Sequence, residues 1–111
     1  MRFSAVTYLF LLAAAVLEVA GDAVIRKGMR GSGILMIALG FGMLGTYGVV
    51  VNLVSWDFSQ LLGVYVAVFA TVAVLFGRFV FSEVIPASTW VGLMIIIAGA
   101  AVIQFGPSFT K

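Results

Sequence analysis

Residues 31–56 read GSGILMIALGFGMLGTYGVVVNLVSW and contain no charged side chain. Residues 58–77 and 84–110 are also uncharged, and residues 3–17 (FSAVTYLFLLAAAVL) begin a fourth apolar stretch. A helix needs roughly 20 mostly apolar residues to cross the hydrocarbon core of a bilayer. The sequence therefore predicts an all-α bundle of four transmembrane helices.

The four predicted helices fill almost the whole chain. We place them near residues 4–25, 33–55, 59–81 and 87–106, in a single transmembrane domain that covers residues 1–111. The links between them are too short and too apolar to form a second domain or a linker. The expected protein is a multi-pass membrane protein.

The composition excludes several classes of function. Only 9% of the residues are charged and 64% are hydrophobic, with a mean hydropathy of +1.28, whereas soluble domains are about a quarter charged. The absence of Cys and His removes disulfides, thiolate metal sites and imidazole acid–base chemistry. We therefore expect no enzymatic activity, no cofactor and no metal ion. A net charge of +2 does not suggest a nucleic-acid partner.

The orientation of the chain is weakly encoded. With four spans, Arg2 and Lys111 fall on one side, and the other side carries Arg26, Lys27, Arg30 and Arg78. This bias favours a cytoplasmic location for the second group, and insertion in both orientations stays an alternative.

The segment GFGMLG at residues 40–45 matches the dinucleotide fingerprint G-x-G-x-x-G. That motif needs a preceding strand and a polar phosphate site, but here it lies inside an uncharged span. Small residues that let two helices approach closely explain it better.

Glu18 is the most informative residue, because it lies inside the first predicted helix. An ionised side chain at the membrane centre costs on the order of 2.5–3.5 kcal/mol on insertion scales. Removal from water favours the protonated carboxyl, so this group can exchange a proton for a cation. The alternative is a structural Glu that reaches the interface or pairs with Arg26 or Arg30.

Asp22 follows Glu18 by four residues and shares its helical face. It is a possible second site, although a local pair with Arg26 explains it as well. Tyr8 lies on the stripe that leads to Glu18, and we count it as a candidate cavity residue. An aromatic belt at the membrane surface is the alternative.

Further polar groups lie in the second and third spans. Tyr47 and Tyr65 are candidate binding residues, because an aromatic face beside a carboxylate attracts an organic cation. Asn52 is a possible secondary site. Each of these side chains taken alone also fits a role in packing or backbone hydrogen bonding.

Residues 18–26 read EVAGDAVIR, which resembles the E-V-x-G-x-x-x-x-[K/R] stretch of small multidrug resistance transporters, four-helix proteins of the drug/metabolite transporter superfamily. Gly92 and Gly99 resemble that family's dimer seam in the fourth helix. The resemblance implies that Glu18 is a shared proton and substrate carboxylate in an antiparallel homodimer of the cell inner membrane. It also implies that Tyr8 lines the pocket.

The third helix departs from that family's A-Y-x-x-W pattern. Residues 64–70 read VYVAVFA, which puts Tyr65 where the family has Trp and leaves Leu62 where it has Tyr. Residues 81–92 (FSEVIPASTWVG) resemble a second group, the four-helix subunits of lipid-linked aminoarabinose flippases. The two resemblances imply one fold and different cargo.

The sequence thus predicts a small secondary transporter that exchanges protons for a small organic cation by antiport, and the resemblance implies export as the direction. Its expected partners are that cation, protons, membrane lipid and a second copy of the chain, with a heteromeric partner as an alternative. A flippase-type subunit that moves a lipid-linked or amine-bearing substrate is the second hypothesis, and a non-transporting membrane scaffold is the third.

Overall fold

The computed structural model describes residues 5–107. It contains four long α-helices and, within those residues, no strand: α1 (Ala5–Lys27), α2 (Ile34–Asn52), α3 (Phe58–Phe79) and α4 (Ala87–Phe105). Each helix is long and apolar enough to cross a membrane. The predicted all-α class with four spanning helices is confirmed.

The helix bounds differ from the expected ones where polar or tightly turning residues lie. α2 ends at Asn52, three residues before the predicted end at residue 55. The Asn52 Nδ2 donates to the carbonyl oxygen of Gly48 at 2.7 Å. The N–H groups of Leu53 and Val54 then donate three residues back, at 3.1 and 3.3 Å, which tightens and ends the helix.

The first connection is more ordered than the loop predicted over residues 26–32. α1 continues to Lys27, and a wide helical turn follows over Gly28–Ser32, closed by a bond from the Gly33 N–H to the Gly28 carbonyl at 3.1 Å. Gly31 and Gly33 have φ of 130° and 97°. Only glycine adopts such values without a steric cost, so these two residues let the chain reverse into α2.

Two compact units make up the chain, the first ending at Ser55 and the second beginning at Trp56. The first unit is an antiparallel hairpin of α1 and α2. A Cβ atom at Gly21 would lie 3.0 Å from Leu44 Cδ2, and one at Gly28 would lie 2.7 Å from Ile37 Cγ1. The helices therefore pack nearly backbone to backbone along this contact, as small residues permit in membrane helices.

Gly40 completes the same register. A Cβ atom there would collide with Ile25 Cγ1 and would lie 2.9 Å from the carbonyl oxygen of Gly21. The expectation that the GFGMLG segment serves helix packing is confirmed for Gly40, whereas a Cβ atom at Gly42 or Gly45 would meet nothing within 4 Å.

These contacts define a seam, which we call the α1–α2 seam, in which positions alternate by three and four residues. Spacing of this kind is typical of helices that cross at a small angle. The register of the glycine contacts assigns two sets of residues to the seam. The α1 side contributes Leu11, Ala14, Glu18, Gly21, Ile25 and Gly28, and the α2 side contributes Ile37, Gly40, Leu44, Tyr47, Val51 and Val54.

The second unit is the hairpin of α3 and α4. Its helices approach where a Cβ atom at Gly63 would lie 2.7 Å from Ile103 Cδ1. Pro86, with φ of −63° and ψ of 153°, precedes α4. Its carbonyl accepts from the Thr89 N–H at 3.0 Å, which starts the helix.

Candidate functional site

Glu18 lies on the α1–α2 seam, where the other positions of α1 are small or apolar residues. The Gly28–Ile37, Ile25–Gly40 and Gly21–Leu44 contacts step along the seam by three or four residues. The next step places Glu18 level with Tyr47. The Glu18 side chain is half-buried, so it is neither sealed in the hairpin nor fully on its outer surface.

Electrostatics support the same placement. The Tyr47 hydroxyl lies within range of the charges of both Glu18 and Asp22, with the larger effect from Glu18. Tyr47 is half-buried and Asp22 is exposed. The structure therefore brings three of the predicted residues within about one helical turn of each other in the first hairpin: two carboxylates on α1 and a phenol on α2.

Gly21 lies less than one turn beyond Glu18 and is the reason the two helices are close here. A side chain at position 21 would be 3.2 Å from Met43 Cβ and from Leu44 Cγ, and would push α2 away from the carboxylate. The Glu18–Tyr47 pair thus depends on the absence of a side chain one turn away.

An apolar groove of about 630 Å³ lies in the first hairpin, along the face of α1 that points away from Glu18. Its lining contains no ionisable group and consists of Leu9, Leu12, Ala13, Val16, Leu17, Ala20 and Met43. Leu17 and Met43 place one end of the groove next to the level of Glu18. Because the lining contains neither Glu18 nor Tyr47, the groove and the pair are separate features of the first hairpin.

Tyr8 and Asn52 lie away from this cluster. Ten residues of α1 separate Tyr8 from Glu18, a rise of about 15 Å. The Asn52 amide donates to the Gly48 carbonyl of its own helix. This agrees with the alternative role of Asn52 in backbone hydrogen bonding.

Tyr65 belongs to the second unit, where its side chain is 4% exposed and its ring centroid lies 6.4 Å from that of Phe69. Gly92 and Gly99 lie on α4, and a Cβ atom on either would meet nothing within 4 Å. The space beside both glycines is therefore open within the second unit.

Two features of the second unit were not anticipated from the sequence. Gln104 is a buried polar side chain in α4, with 8% of its surface exposed. Arg78, Glu83 and Trp90 line one pocket at the α3–α4 turn. A Gln inside an uncharged span is the signal that could have drawn attention to the first feature.

Four apolar helices of membrane-spanning length, with a carboxylate set on a helix-packing seam, define a small multi-pass membrane protein. The chain belongs to the YnfA/UPF0060 family, whose model, described as "Uncharacterised BCR", matches residues 5–109. This is a family of small four-helix membrane proteins related to small multidrug resistance and drug/metabolite transporter-type proteins. The resemblance found in residues 18–26 is thus to a related family. No curated protein matches the sequence, and no solved structure does.

Proposed function

We propose that this protein is a secondary transporter that exchanges protons for a small organic cation, with Glu18 as the group that binds both. The observation that carries the proposal is the half-buried Glu18 on the α1–α2 seam, level with Tyr47. An acid in this position is costly to ionise, which supports a functional role for Glu18.

The coupling follows from the cost of charge in an apolar environment. An isolated carboxylate at the membrane centre costs on the order of 2.5–3.5 kcal/mol on insertion scales. A bound proton or a bound cation relieves that cost, and one carboxylate does not hold both. A cation that enters must therefore displace the proton, and a returning proton must displace the cation.

Tyr47 suits an organic rather than an inorganic cation. The face of a phenol ring attracts a cation by about 0.5–2 kcal/mol, depending on how far it is desolvated. Asp22, exposed one turn further along α1, adds negative potential at the entrance.

We further propose that the transporter works as a homodimer in the cell inner membrane, with an antiparallel arrangement as one possibility. The open space beside Gly92 and Gly99 permits close approach of a second α4. Two Glu18 residues then share one midplane cavity, and rocking of the protomers exposes it to each side in turn. Export as the direction follows from the family resemblance.

The experiment is a proton-release titration of the purified protein in weakly buffered detergent, with tetraphenylphosphonium and guanidinium as probes. The proposal predicts saturable release with at least one of the two, and no release from Glu18→Gln. Asp57→Asn is the matched control, because Asp57 precedes α3 outside the spans and should leave release unchanged.

Two outcomes contradict the proposal. Release that persists in Glu18→Gln assigns the proton to another group. Transport by the wild type in vesicles that does not depend on pH favours the flippase-type alternative, in which Glu18 contacts the amine of a lipid-linked substrate.

A further inference from the structure

A second charged pocket lies in the other unit, at the turn between α3 and α4. It has a volume of about 270 Å³ and is lined by Arg78, Ser82, Glu83, Val84, Ile85 and Trp90. The pocket contains a cation, an anion and an indole at the end of one spanning helix and the start of the next. Nothing in the transport function proposed above uses these residues.

The turn is built so that Glu83 folds back over the end of α3. The Glu83 N–H donates to the Gly77 carbonyl at 2.8 Å, and Ser82 adopts a left-handed φ of 55°, which few non-glycine residues do. A side chain at position 77 would collide with Glu83 Oε1. Gly77 therefore leaves the space that the carboxylate occupies.

The Glu83 carboxylate is exposed and lies beside a helix end that does not favour an acid. The carbonyl end of a helix carries partial negative charge, and Glu83 lies against the last turns of α3. Arg78 is on the same pocket wall, but its guanidinium lies over the Phe79 ring, 5.4 Å from the centroid. A ligand amine placed beside Glu83 would supply the compensating positive charge.

Arg78 supplies a binding group for the anionic part of the same ligand. Guanidinium groups bind phosphate with directed, charge-assisted hydrogen bonds. Trp90, in the first turn of α4, is 39% exposed, and indole rings in membrane proteins concentrate at the headgroup level. The pocket thus presents a phosphate-binding group, an amine-binding group and an interfacial aromatic wall at one membrane boundary.

We infer that this pocket binds the headgroup of an aminophospholipid, with the phosphate at Arg78 and the primary ammonium at Glu83. The volume of about 270 Å³ lies just below the roughly 300–1,000 Å³ of pockets for drug-sized ligands, which fits the smaller phosphoethanolamine group. A phosphate ester that carries an amine could also come from solution. The location between two spanning helices favours the lipid, and the test separates the two sources.

The test uses the full-length chain with Trp56→Phe, so that Trp90 is the one remaining tryptophan of the two in the sequence. In detergent, a short-chain phosphatidylethanolamine should change Trp90 fluorescence saturably. Phosphatidylcholine lacks the N–H donors and phosphatidylglycerol lacks the amine, so both should bind more weakly. Soluble phosphoethanolamine should compete at concentrations well above those of the lipid.

Arg78→Gln and Glu83→Gln should each weaken binding about tenfold or more, as expected for the loss of one charge-assisted hydrogen bond. Arg78→Lys and Glu83→Asp keep the charges and report whether the turn still folds. Arg30→Gln and Asp57→Asn are matched charge losses outside the pocket and should leave binding unchanged.

Three results overturn the inference. Phosphatidylglycerol binding as tightly as phosphatidylethanolamine indicates an ordinary basic surface. Unchanged binding in Arg78→Gln and Glu83→Gln removes the pocket from the interaction. Soluble phosphoethanolamine binding as tightly as the lipid assigns the pocket to a soluble ligand. None of these results bears on proton release at Glu18, so failure here is distinct from failure of the transport proposal.

Discussion

Glu18 and Tyr47 lie level with each other across the α1–α2 seam, one step beyond the contact of Gly21 with Leu44. The pair is the polar step in a seam whose other positions are glycine, alanine or aliphatic residues. Close backbone approach on one side of the pair fixes the distance between the helices. The carboxylate and the phenol are therefore positioned by packing as well as by their own interactions.

The tyrosine ring and its hydroxyl should contribute separately to ligand affinity. Tyr47→Ala removes the ring face and should weaken organic-cation binding about 2–30-fold, which corresponds to about 0.5–2 kcal/mol of cation–π attraction. Tyr47→Phe keeps the face and should retain most of the affinity. The measurement is the midpoint of the proton-release titration, and equal losses in both variants would assign the effect to the hydroxyl instead.

The two carboxylates of α1 should differ in function because they differ in burial. Asp22 is exposed and Glu18 is half-buried. Asp22→Asn should therefore weaken cation affinity only severalfold, through lost potential at the entrance, and should keep the number of protons released. That number is measured calorimetrically in two buffers of different ionisation enthalpy. A loss of release as complete as in Glu18→Gln would make Asp22 a proton site as well.

Substitutions at the glycines of the seam should change the free energy of unfolding. Gly40→Ala places a methyl group against Ile25 and the Gly21 carbonyl, and overpacking of this kind costs about 1–3 kcal/mol. Gly42→Ala, two residues away and facing open space, should be neutral or stabilise α2 by about 0.5–1 kcal/mol. Unfolding in mixed micelles followed by circular dichroism measures both, and equal effects would contradict the register.

The proposed dimer seam gives a prediction that does not involve ligand. Because a Cβ atom at Gly92 or Gly99 meets nothing within 4 Å in the chain itself, a leucine at either position should leave the helical content intact. It should shift a dimer toward monomer by blocking the close approach of a second α4. Gly45→Leu on α2 is a matched control. Crosslinking in detergent and in vesicles measures the fraction of dimer. Unchanged dimerisation in both α4 variants would place the interface elsewhere.

The spans were predictable because membrane thickness sets a minimum length for uncharged runs, and residues 31–56, 58–77 and 84–110 each meet it. The early end of α2 was not predictable, because it depends on the Asn52 side chain competing for the Gly48 carbonyl. The wide turn after Lys27 likewise depends on particular dihedral angles at Gly31 and Gly33.

Glu18 could be recognised from the sequence because an acid inside a span is costly wherever it faces. The residue opposite Glu18 could not be recognised in this way, because Tyr47 is one of three tyrosines in the sequence. Only the Gly21–Leu44 and Gly40–Ile25 contacts fix the register that places Tyr47 there. The pocket at the α3–α4 turn was hidden for a similar reason. It exists because the left-handed Ser82 turns Glu83 back over Gly77.

The central claim concerns the protonation of one carboxyl group, and infrared difference spectroscopy observes it directly. The spectrum of the protein in membranes with saturating organic cation, minus the spectrum without it, should show loss of a protonated carboxyl C=O band and gain of carboxylate bands. Both changes should be absent in Glu18→Gln and present in Asp22→Asn. A cation that binds without any change in the carboxyl bands, or with the same change in Glu18→Gln, would contradict the account.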